Sequence, residues 1–265
     1  MRLEGFELLL FSTDVALITE AVDAGVDGVI VDWERRGKHE RQAGADTEIR
    51  ADTEADLRRV RGATDARVLC RIDALGPGTA GQVSVAIGAG ADELLVPMVR
   101  RAAEVERVLD LVGGRCAVGA LIETTDAVND AHAIAALPLS RIYVGLNDLA
   151  IDRGSSSIFD AVADGTVDAV RAVVRTRFGV AGLTRPDRGA PIPSRLLAGE
   201  LVRLGAAFTF LRRSYCRHVA AGEQAEAIVA IRAMLAAAAA RSADEARRDR
   251  RDLLSAIAAT QQPVA

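Results

Sequence analysis

The chain has 265 residues, of which 50% are hydrophobic and 26% are charged, and its formal net charge is -4. This length and composition suit one globular domain with a sizeable core. The slightly acidic balance and the 3% of aromatic residues predict neither a basic surface nor stacking platforms, so we expect no nucleic-acid partner.

The N-terminal residues show no basic stretch followed by a long apolar one. No apolar run reaches the roughly 18 residues that a membrane-spanning helix needs. We therefore expect no membrane association, and we take the cytoplasm as the default location.

Eight short apolar runs predict β-strands. Most of them are continuous rather than alternating, which is typical of parallel strands that are covered on both faces. Residues between the runs recur at helical spacing, as Val15, Ile18 and Val22 do. The predicted strands are Glu7–Phe11, Gly28–Val31, Val68–Ile72, Glu93–Val96, Ala117–Ile122, Ile142–Val144, Val180–Leu183 and Phe208–Leu211.

The alternation of strands and helices predicts an α/β fold, a (β/α)₈ TIM barrel with an extended C-terminal helical tail. An internal echo supports this fold, because residues 24–31 match residues 89–96 in pattern and residues 204–208 match more weakly. In each copy a glycine is expected to end a helix in a left-handed turn. A doubly wound open sheet is the alternative, although no GxGxxG follows the first strand.

The C-terminal tail is predicted to be helical. We place the barrel at residues 1–220 and the additional helices at residues 221–265. Ala221–Arg241 is rich in alanine, and Ser242 with Glu245 forms a capping-box pattern before a second helix. That helix is expected to pack against the outside of the barrel or another subunit, and a frayed terminus is the alternative.

Polar residues lie at the ends of successive predicted strands. Because the carboxyl ends of barrel strands surround one mouth, these side chains are expected to converge there. In chain order they are Asp32 and Glu34, Arg71 and Asp73, Pro97, Glu123, Asn147 and Asp148, and Arg212 and Arg213.

Clustered carboxylates repel one another, and a divalent cation relieves that repulsion. Glu123 and Asp148 are the predicted metal ligands. Arg71 provides a fixed positive fork for a substrate carboxylate or a developing enolate oxygen. Pro97, Asn147 and the backbone from Leu149 onward, where a helix is expected to begin, are further candidates for contacting substrate.

Five segments then resemble one known family, the HpcH/HpaI class II aldolases and citrate lyase β-subunits. The resemblance extends from about Phe6 to Leu211. It implies a pyruvate-binding barrel in which Glu123 and Asp148 hold Mg²⁺ or Mn²⁺ and Arg71 contacts a 2-oxo acid. It also implies a homotrimer or homohexamer whose subunits could exchange their C-terminal helices. The segments are Val31-Asp32-Trp33-Glu34, Arg71, Val96-Pro97-Met98-Val99, Ile122-Glu123-Thr124 and Tyr143-Val144-Gly145-Leu146-Asn147-Asp148-Leu149.

One position departs from the family pattern. Simple pyruvate aldolases of this family usually have a histidine directly after the glutamate of the second-strand motif, and here that residue is Arg35. Arginine stays protonated at working pH and cannot serve as a base. His39, Lys38 or a metal-bound water could take that role. The charged segment Arg35–Arg50 is interpreted either as a lid that receives an anionic substrate or as a solvated connector.

The predicted function is a metal-dependent carbon–carbon lyase or aldolase that acts on a small 2-oxo or hydroxy acid through a pyruvate-type enolate. Arg71, Asp32, Glu34 and His39 are the predicted catalytic residues. An enzyme that uses a CoA thioester, as citrate lyase and malyl-CoA lyase do, is one alternative. A non-catalytic barrel that has lost the usual base is the other.

Overall fold

A computed structural model describes residues 5–36, 52–211, 213–220 and 222–260, apart from the side chains of residues 213, 214 and 218. All eight predicted strands are confirmed; four of them are longer than predicted, and β3 is shifted by one residue toward the N-terminus. They are β1 (Glu7–Phe11), β2 (Gly28–Asp32), β3 (Arg67–Arg71), β4 (Glu93–Val99), β5 (Ala117–Ile122), β6 (Arg141–Val144), β7 (Arg177–Leu183) and β8 (Phe208–Leu211).

The strands of the described chain close into a barrel in sequence order. Each strand pairs in parallel with the next, and β1 pairs in parallel with β8 through Leu9 and Phe210. This closure confirms the (β/α)₈ barrel and excludes the open doubly wound sheet, in which the two edge strands would remain unpaired.

Helices follow the strands around the outside of the barrel. Gly25, Gly90 and Gly205 have positive φ angles at the ends of three helices, which confirms the predicted left-handed junctions. The helices are α1 (Val15–Asp23), α2 (Glu54–Ala63), α3 (Thr79–Gly88), α4 (Ala102–Val112), α5 (Thr125–Asn129), α6 (Ala131–Ala135), α7 (Leu146–Arg153), α8 (Asp160–Ala163), α9 (Thr166–Val173), α10 (Ser194–Arg203), α11 (Arg213–His218), α12 (Gln224–Ala239) and α13 (Ala243–Thr260).

The core has two parts, separated by the wall of strands. Outward-facing strand residues pack with the helices into one large cluster. Inward-facing residues form a smaller cluster that fills the middle of the barrel, so the barrel is a packed core and not a pore. Its buried members are Leu9, Ile30, Leu69, Leu95, Leu121, Tyr143, Phe208 and Phe210.

A buried ion network closes the barrel at the amino ends of the strands. Arg141 is fully buried and donates to both carboxylate oxygens of Glu93, at 2.7 and 2.8 Å. Its remaining terminal nitrogen donates to Glu7 at 2.9 Å. The Arg141 guanidinium also lies 4.7 Å from the centre of the Phe208 ring. These contacts offset the cost of removing the charges from water.

The tail helices pack on the barrel of their own chain. Helix α12 contacts α1 and α10, and α13 contacts α8 and α10. The predicted capping box is present, because the Glu245 carboxylate accepts from the Ser242 N–H at 2.8 Å and the Glu245 N–H donates to the Ser242 hydroxyl at 3.3 Å. Leu253 and Ile257 are buried. The alternative of a frayed terminus is therefore wrong for residues 243–260.

Within the described ranges, none of the helices combines the length and the apolar content that crossing a lipid bilayer requires.

Replacing Arg141 by methionine tests the ion network. We expect Arg141→Met to lower the free energy of unfolding by about 3–5 kcal/mol, because Glu93 loses its main partner inside the barrel. The matched control is Arg58→Met, since Arg58 forms an exposed pair with Glu54 and its loss should cost less than about 1 kcal/mol. Urea unfolding of both variants measures the difference, and equal costs would contradict this view of the network.

Candidate active site

Arg71 and Asp32 form the central ion pair at the barrel mouth. They lie opposite each other at the ends of β3 and β2. The Arg71 Nε donates to Asp32 Oδ1 at 2.9 Å and its Nη2 donates to Oδ2 at 2.7 Å. The Nη1 atom lies 3.4 Å from Glu34 Oε2. This two-point contact fixes the plane of the guanidinium.

Neighbouring carboxylates keep Arg71 positively charged. Burial alone would lower the pKa of Arg71, but the carboxylates of Asp32 and Glu34 more than offset it, so the pKa lies above its ordinary value. The guanidinium also stacks 5.0 Å from the centre of the Phe11 ring at the end of β1. Phe11 was missed at the sequence level, although its position at a strand end was a usable signal.

Glu123 is positioned by backbone from two neighbouring segments. A bulge in β4 interrupts its pairing with β5 between Val96 and Val99. Within the bulge Met98 adopts φ 53°, in the left-handed region, and its N–H donates to Glu123 Oε2 at 3.0 Å. On the other side a Cβ at Gly145 would lie 2.4 Å from Glu123 Oε1. Glycine is therefore required at position 145 for Glu123 to occupy this place.

Glu123 and Asp148 face each other closely enough to interact electrostatically. Burial, the charge of Asp148 and the charge of Glu34 together raise the pKa of Glu123 to about 8, although Arg71 and the Met98 N–H act in the opposite direction. Both carboxylates are buried, with 3% of Glu123 and 7% of Asp148 exposed. The electrostatic conflict at this pair is the property that a bound cation would relieve.

The start of α7 corrects one predicted site residue. Helix α7 begins at Leu146, with Gly145 as its N-cap. The Leu149 N–H donates to the Gly145 carbonyl at 3.1 Å, and the Leu149 side chain is fully buried in the outer core. Leu149 is thus committed to the helix and does not offer a free N–H to substrate. Residues 146–148, in the first turn, are the positions that leave N–H groups without intrahelical partners.

Asn147 and Pro97 remain near the mouth. Asn147 lies in that first turn, and its Nδ2 is buried without a hydrogen-bond partner among the described residues. Pro97 is buried in β4 directly before Met98, inside the bulge. Since proline has no N–H to donate, Pro97 is suited to a ladder that is already interrupted there.

Arg35 and Asp73 do not join the cluster. The Asp73 carboxylate accepts from the backbone N–H groups of Arg35 and Arg36, at 2.7 and 2.9 Å. The Arg35 side chain donates to the Asp52 carbonyl at 2.6 Å. Asp73 therefore anchors the loop after β2 and does not belong to the cluster of carboxylates at the barrel mouth. The structure also places Arg35 at a cavity of about 430 Å³ whose lining includes Gln82 of α3.

His39, Lys38 and Arg212 lie outside the described residues, as does most of the segment Arg35–Arg50. The predictions for these residues stay predictions.

The donors of the mouth fit a hard divalent cation. Among the described residues, no group of three or more His, Cys, Asp or Glu side chains is arranged to hold a metal ion. The predicted site uses two carboxylates, and substrate and water oxygens would complete the coordination shell of Mg²⁺ or Mn²⁺. The raised pKa of Glu123 beside Asp148 is the observation that fits this donor set.

Comparison with models of protein families assigns the chain to one family. The model of the HpcH/HpaI aldolase/citrate lyase family matches residues 7–177, more than half of the chain. The chain belongs to this family. Membership confirms the resemblance seen in the strand-end motifs and places the chain among aldolases and lyases. No curated protein sequence matches the chain.

Solved structures share the fold of this family member. An HpcH/HpaI aldolase from Desulfitobacterium hafniense DCB-2 has a TM-score of 0.60 at 16% identity, over 78% of this chain and 86% of that one. The citrate synthase SbnG has a TM-score of 0.59 at 19% identity, over 82% and 92%. A family protein from Burkholderia cenocepacia J2315 has a TM-score of 0.58 at 16% identity, over 77% and 87%. At these identities the likeness shows the fold alone.

A methyl group at position 145 should disturb the site. Because Gly145 has an ordinary φ of -86°, Gly145→Ala introduces no strained φ, and its main effect comes from the contact with Glu123. We expect this overpacking to cost about 1–3 kcal/mol of unfolding free energy. The control is Gly62→Ala in α2, where the added Cβ meets nothing within 4 Å and stability should be equal or higher. Chemical unfolding of both variants checks the prediction, which fails if they are equally stable.

The charge on Glu123 should make the metal-free protein less stable as pH rises. Its folded-state pKa of about 8 lies above the ordinary value of 4.5. This group therefore contributes its full stability below about pH 4.5, and that contribution is lost as pH rises to about 8. In EDTA, Glu123→Gln should raise the melting temperature at pH 8.5 relative to wild type and do so much less at pH 5. A gain of equal size at both pH values would contradict the assignment.

Proposed function

We propose that the protein is a divalent-metal-dependent carbon–carbon lyase that cleaves a small 2-oxo or hydroxy acid through a pyruvate-type enolate. The observation that carries the proposal is the buried pair Glu123 and Asp148, which share one mouth with the oriented guanidinium of Arg71. Family membership supports the broader class of aldolases and lyases.

The charge balance at the mouth supports the choice of cofactor. Arg71 is the cation of the described cluster, and it is engaged by Asp32 and Glu34. Glu123 feels burial and the charge of Asp148 more strongly than it feels Arg71, since its pKa is raised. An added Mg²⁺ or Mn²⁺ at Glu123 and Asp148 would neutralise this excess of negative charge.

A divalent cation at this place would polarise the 2-oxo group as a Lewis acid and favour negative charge on that oxygen. Arg71 supplies the second contribution. Asp32 holds the guanidinium by Nε and Nη2, so the Nη1 edge beside Glu34 is the part directed toward substrate. A preorganised donor of this kind typically lowers the barrier by about 3 kcal/mol, on the order of a hundredfold in rate.

The proton transfer is assigned to Glu34 or His39. Arg35, at the position of the family histidine, is permanently charged and its side chain donates to Asp52. Glu34 is 1% exposed and lies beside the Nη1 atom of Arg71. The pH profiles of Glu34→Gln and His39→Asn should separate the two, because only loss of the acting base removes the ascending limb of the profile.

The proposed assembly is a homotrimer or homohexamer. Val229 on α12 is 64% exposed and Val85 on α3 is 39% exposed, so apolar side chains remain on the outer surface of the protomer. Light scattering after gel filtration measures the mass, and a monomer at micromolar concentration would contradict this assembly.

Exchange of the pyruvate methyl protons tests the metal and the enolate together. With Mn²⁺ or Mg²⁺ in D₂O, the wild-type protein should exchange deuterium into C3 of pyruvate, and EDTA should abolish the exchange. Glu123→Gln and Asp148→Asn should lower the rate at least a hundredfold, and Arg71→Lys should lower it about a hundredfold because lysine cannot reproduce the fork. NMR measures the rates, and calorimetry measures Mn²⁺ affinity.

The matched control is Asp126→Asn. Asp126 lies three residues after Glu123, but its side chain is 49% exposed and pairs with Arg100. Exchange by this variant should equal that of wild type. Undiminished exchange by Glu123→Gln or Asp148→Asn would refute the metal assignment. If acetyl-CoA supports exchange at its methyl group and pyruvate does not, the CoA-thioester alternative replaces the first proposal. A protein inert toward both would be the non-catalytic barrel.

A further inference from the structure

Thr184 has a buried hydroxyl that the proposed reaction does not yet use. It directly follows β7 and is 1% exposed. Its Oγ1 has no hydrogen-bond partner among the described residues. A buried hydroxyl without a partner destabilises the folded protein, so its presence at a strand end calls for a ligand or a water that completes it.

The register of β7, extended by one residue beyond its end at Leu183, puts Thr184 on the inner side of the barrel. Before the bulge in β7, Gly179 lies opposite Phe208, and after it Gly182 lies opposite Phe210. Both phenylalanines belong to the interior cluster, whereas Leu183 belongs to the outer one. Because side chains alternate along a strand, Thr184 lies on the same side as Gly182. Without the bulge, the alternation from Gly179 would place Thr184 outside.

The bulge is held in place by hydrogen bonds. Ala181 has φ 55°, in the left-handed region, and presents its carbonyl to two side chains. That carbonyl accepts from the Tyr143 hydroxyl and, at 3.3 Å, from the hydroxyl of Thr209 in β8. The positive φ of a non-glycine residue is therefore supported from two neighbouring strands. The inward position of Thr184 follows from this arrangement.

We propose that the Thr184 hydroxyl binds an oxygen substituent on the carbon next to the aldehyde group of the second substrate fragment. The inference rests on the proposed function, in which the cation site and Arg71 already bind the carboxylate and the 2-oxo oxygen of the pyruvyl fragment. A hydroxyaldehyde brings two further oxygens: the aldehyde oxygen at the reacting carbon, which takes up the proton, and the hydroxyl oxygen on the next carbon, which is the one assigned to β7. A threonine hydroxyl both donates and accepts, so it suits a neutral hydroxyl group.

Selectivity between two small aldehydes tests this role. Wild-type protein with Mn²⁺ and pyruvate is offered glycolaldehyde, which carries the hydroxyl, or acetaldehyde, which lacks it. Thr184→Val keeps the volume and removes the hydroxyl. We expect the ratio of kcat/KM for glycolaldehyde to that for acetaldehyde to fall about tenfold, because one neutral hydrogen bond is lost with one aldehyde only.

Thr176→Val is the control, since the Thr176 hydroxyl lies before the amino end of β7, away from the bulge, and already donates to the carbonyls of Leu139 and Ser140. It should lower the melting temperature and leave the aldehyde ratio unchanged. Thr184→Val should show the reverse, with an equal or higher melting temperature and a changed ratio.

The outcomes separate the two proposals. An unchanged aldehyde ratio in Thr184→Val, together with normal deuterium exchange in wild type, would overturn the role of Thr184 and leave the proposed function intact. That result would mean that the hydroxyl binds water only. Absence of exchange in wild type would overturn the proposed function and the inference with it.

Discussion

Burial of carboxylates around a single oriented guanidinium is the constraint on which the site depends. Asp32 fixes Arg71 by two hydrogen bonds, and this pairing leaves Glu123 and Asp148 to interact with each other at the mouth. Their repulsion, added to burial, raises the pKa of Glu123. The fold therefore maintains an unfavourable electrostatic interaction at the place where the proposed cation and the substrate oxygens would bind, as active sites commonly do.

Each end of the barrel carries an arginine among carboxylates, but the charges are balanced at only one of the two ends. At the amino ends of the strands, the fully buried Arg141 donates to the buried Glu93 and to the partly buried Glu7, so these charges are paired within the chain. At the carboxyl ends, the carboxylates around Arg71 exceed its single positive charge. In a structural ion network, residues of the chain can neutralise one another. In a reactive site, some negative charge stays unneutralised until a ligand binds.

Two β-bulges connect the fold to the site. The bulge in β4 directs the Met98 N–H to Glu123. The bulge in β7 brings the Ala181 carbonyl to the Tyr143 hydroxyl and shifts the inward-facing register to Gly182, and the proposed position of Thr184 rests on this shift. Each bulge contains a non-glycine residue in the left-handed region. Such residues persist only where surrounding contacts support them. The bulges thus redirect backbone groups at the mouth without changing the order of strands.

The sequence by itself determined the eight strands, the barrel and the carboxylates at the mouth, because continuous apolar runs predict buried parallel strands and every carboxyl end meets at one face. Only the tertiary structure decided which polar residues join the site. Asp73 turned out to anchor a loop, Leu149 proved to lie inside a helix, and Thr184 was not recognised at all. The physical reason is that a bulge or a helix start depends on contacts with neighbouring strands, such as the close approach of Gly145 to Glu123, and local sequence does not encode these contacts.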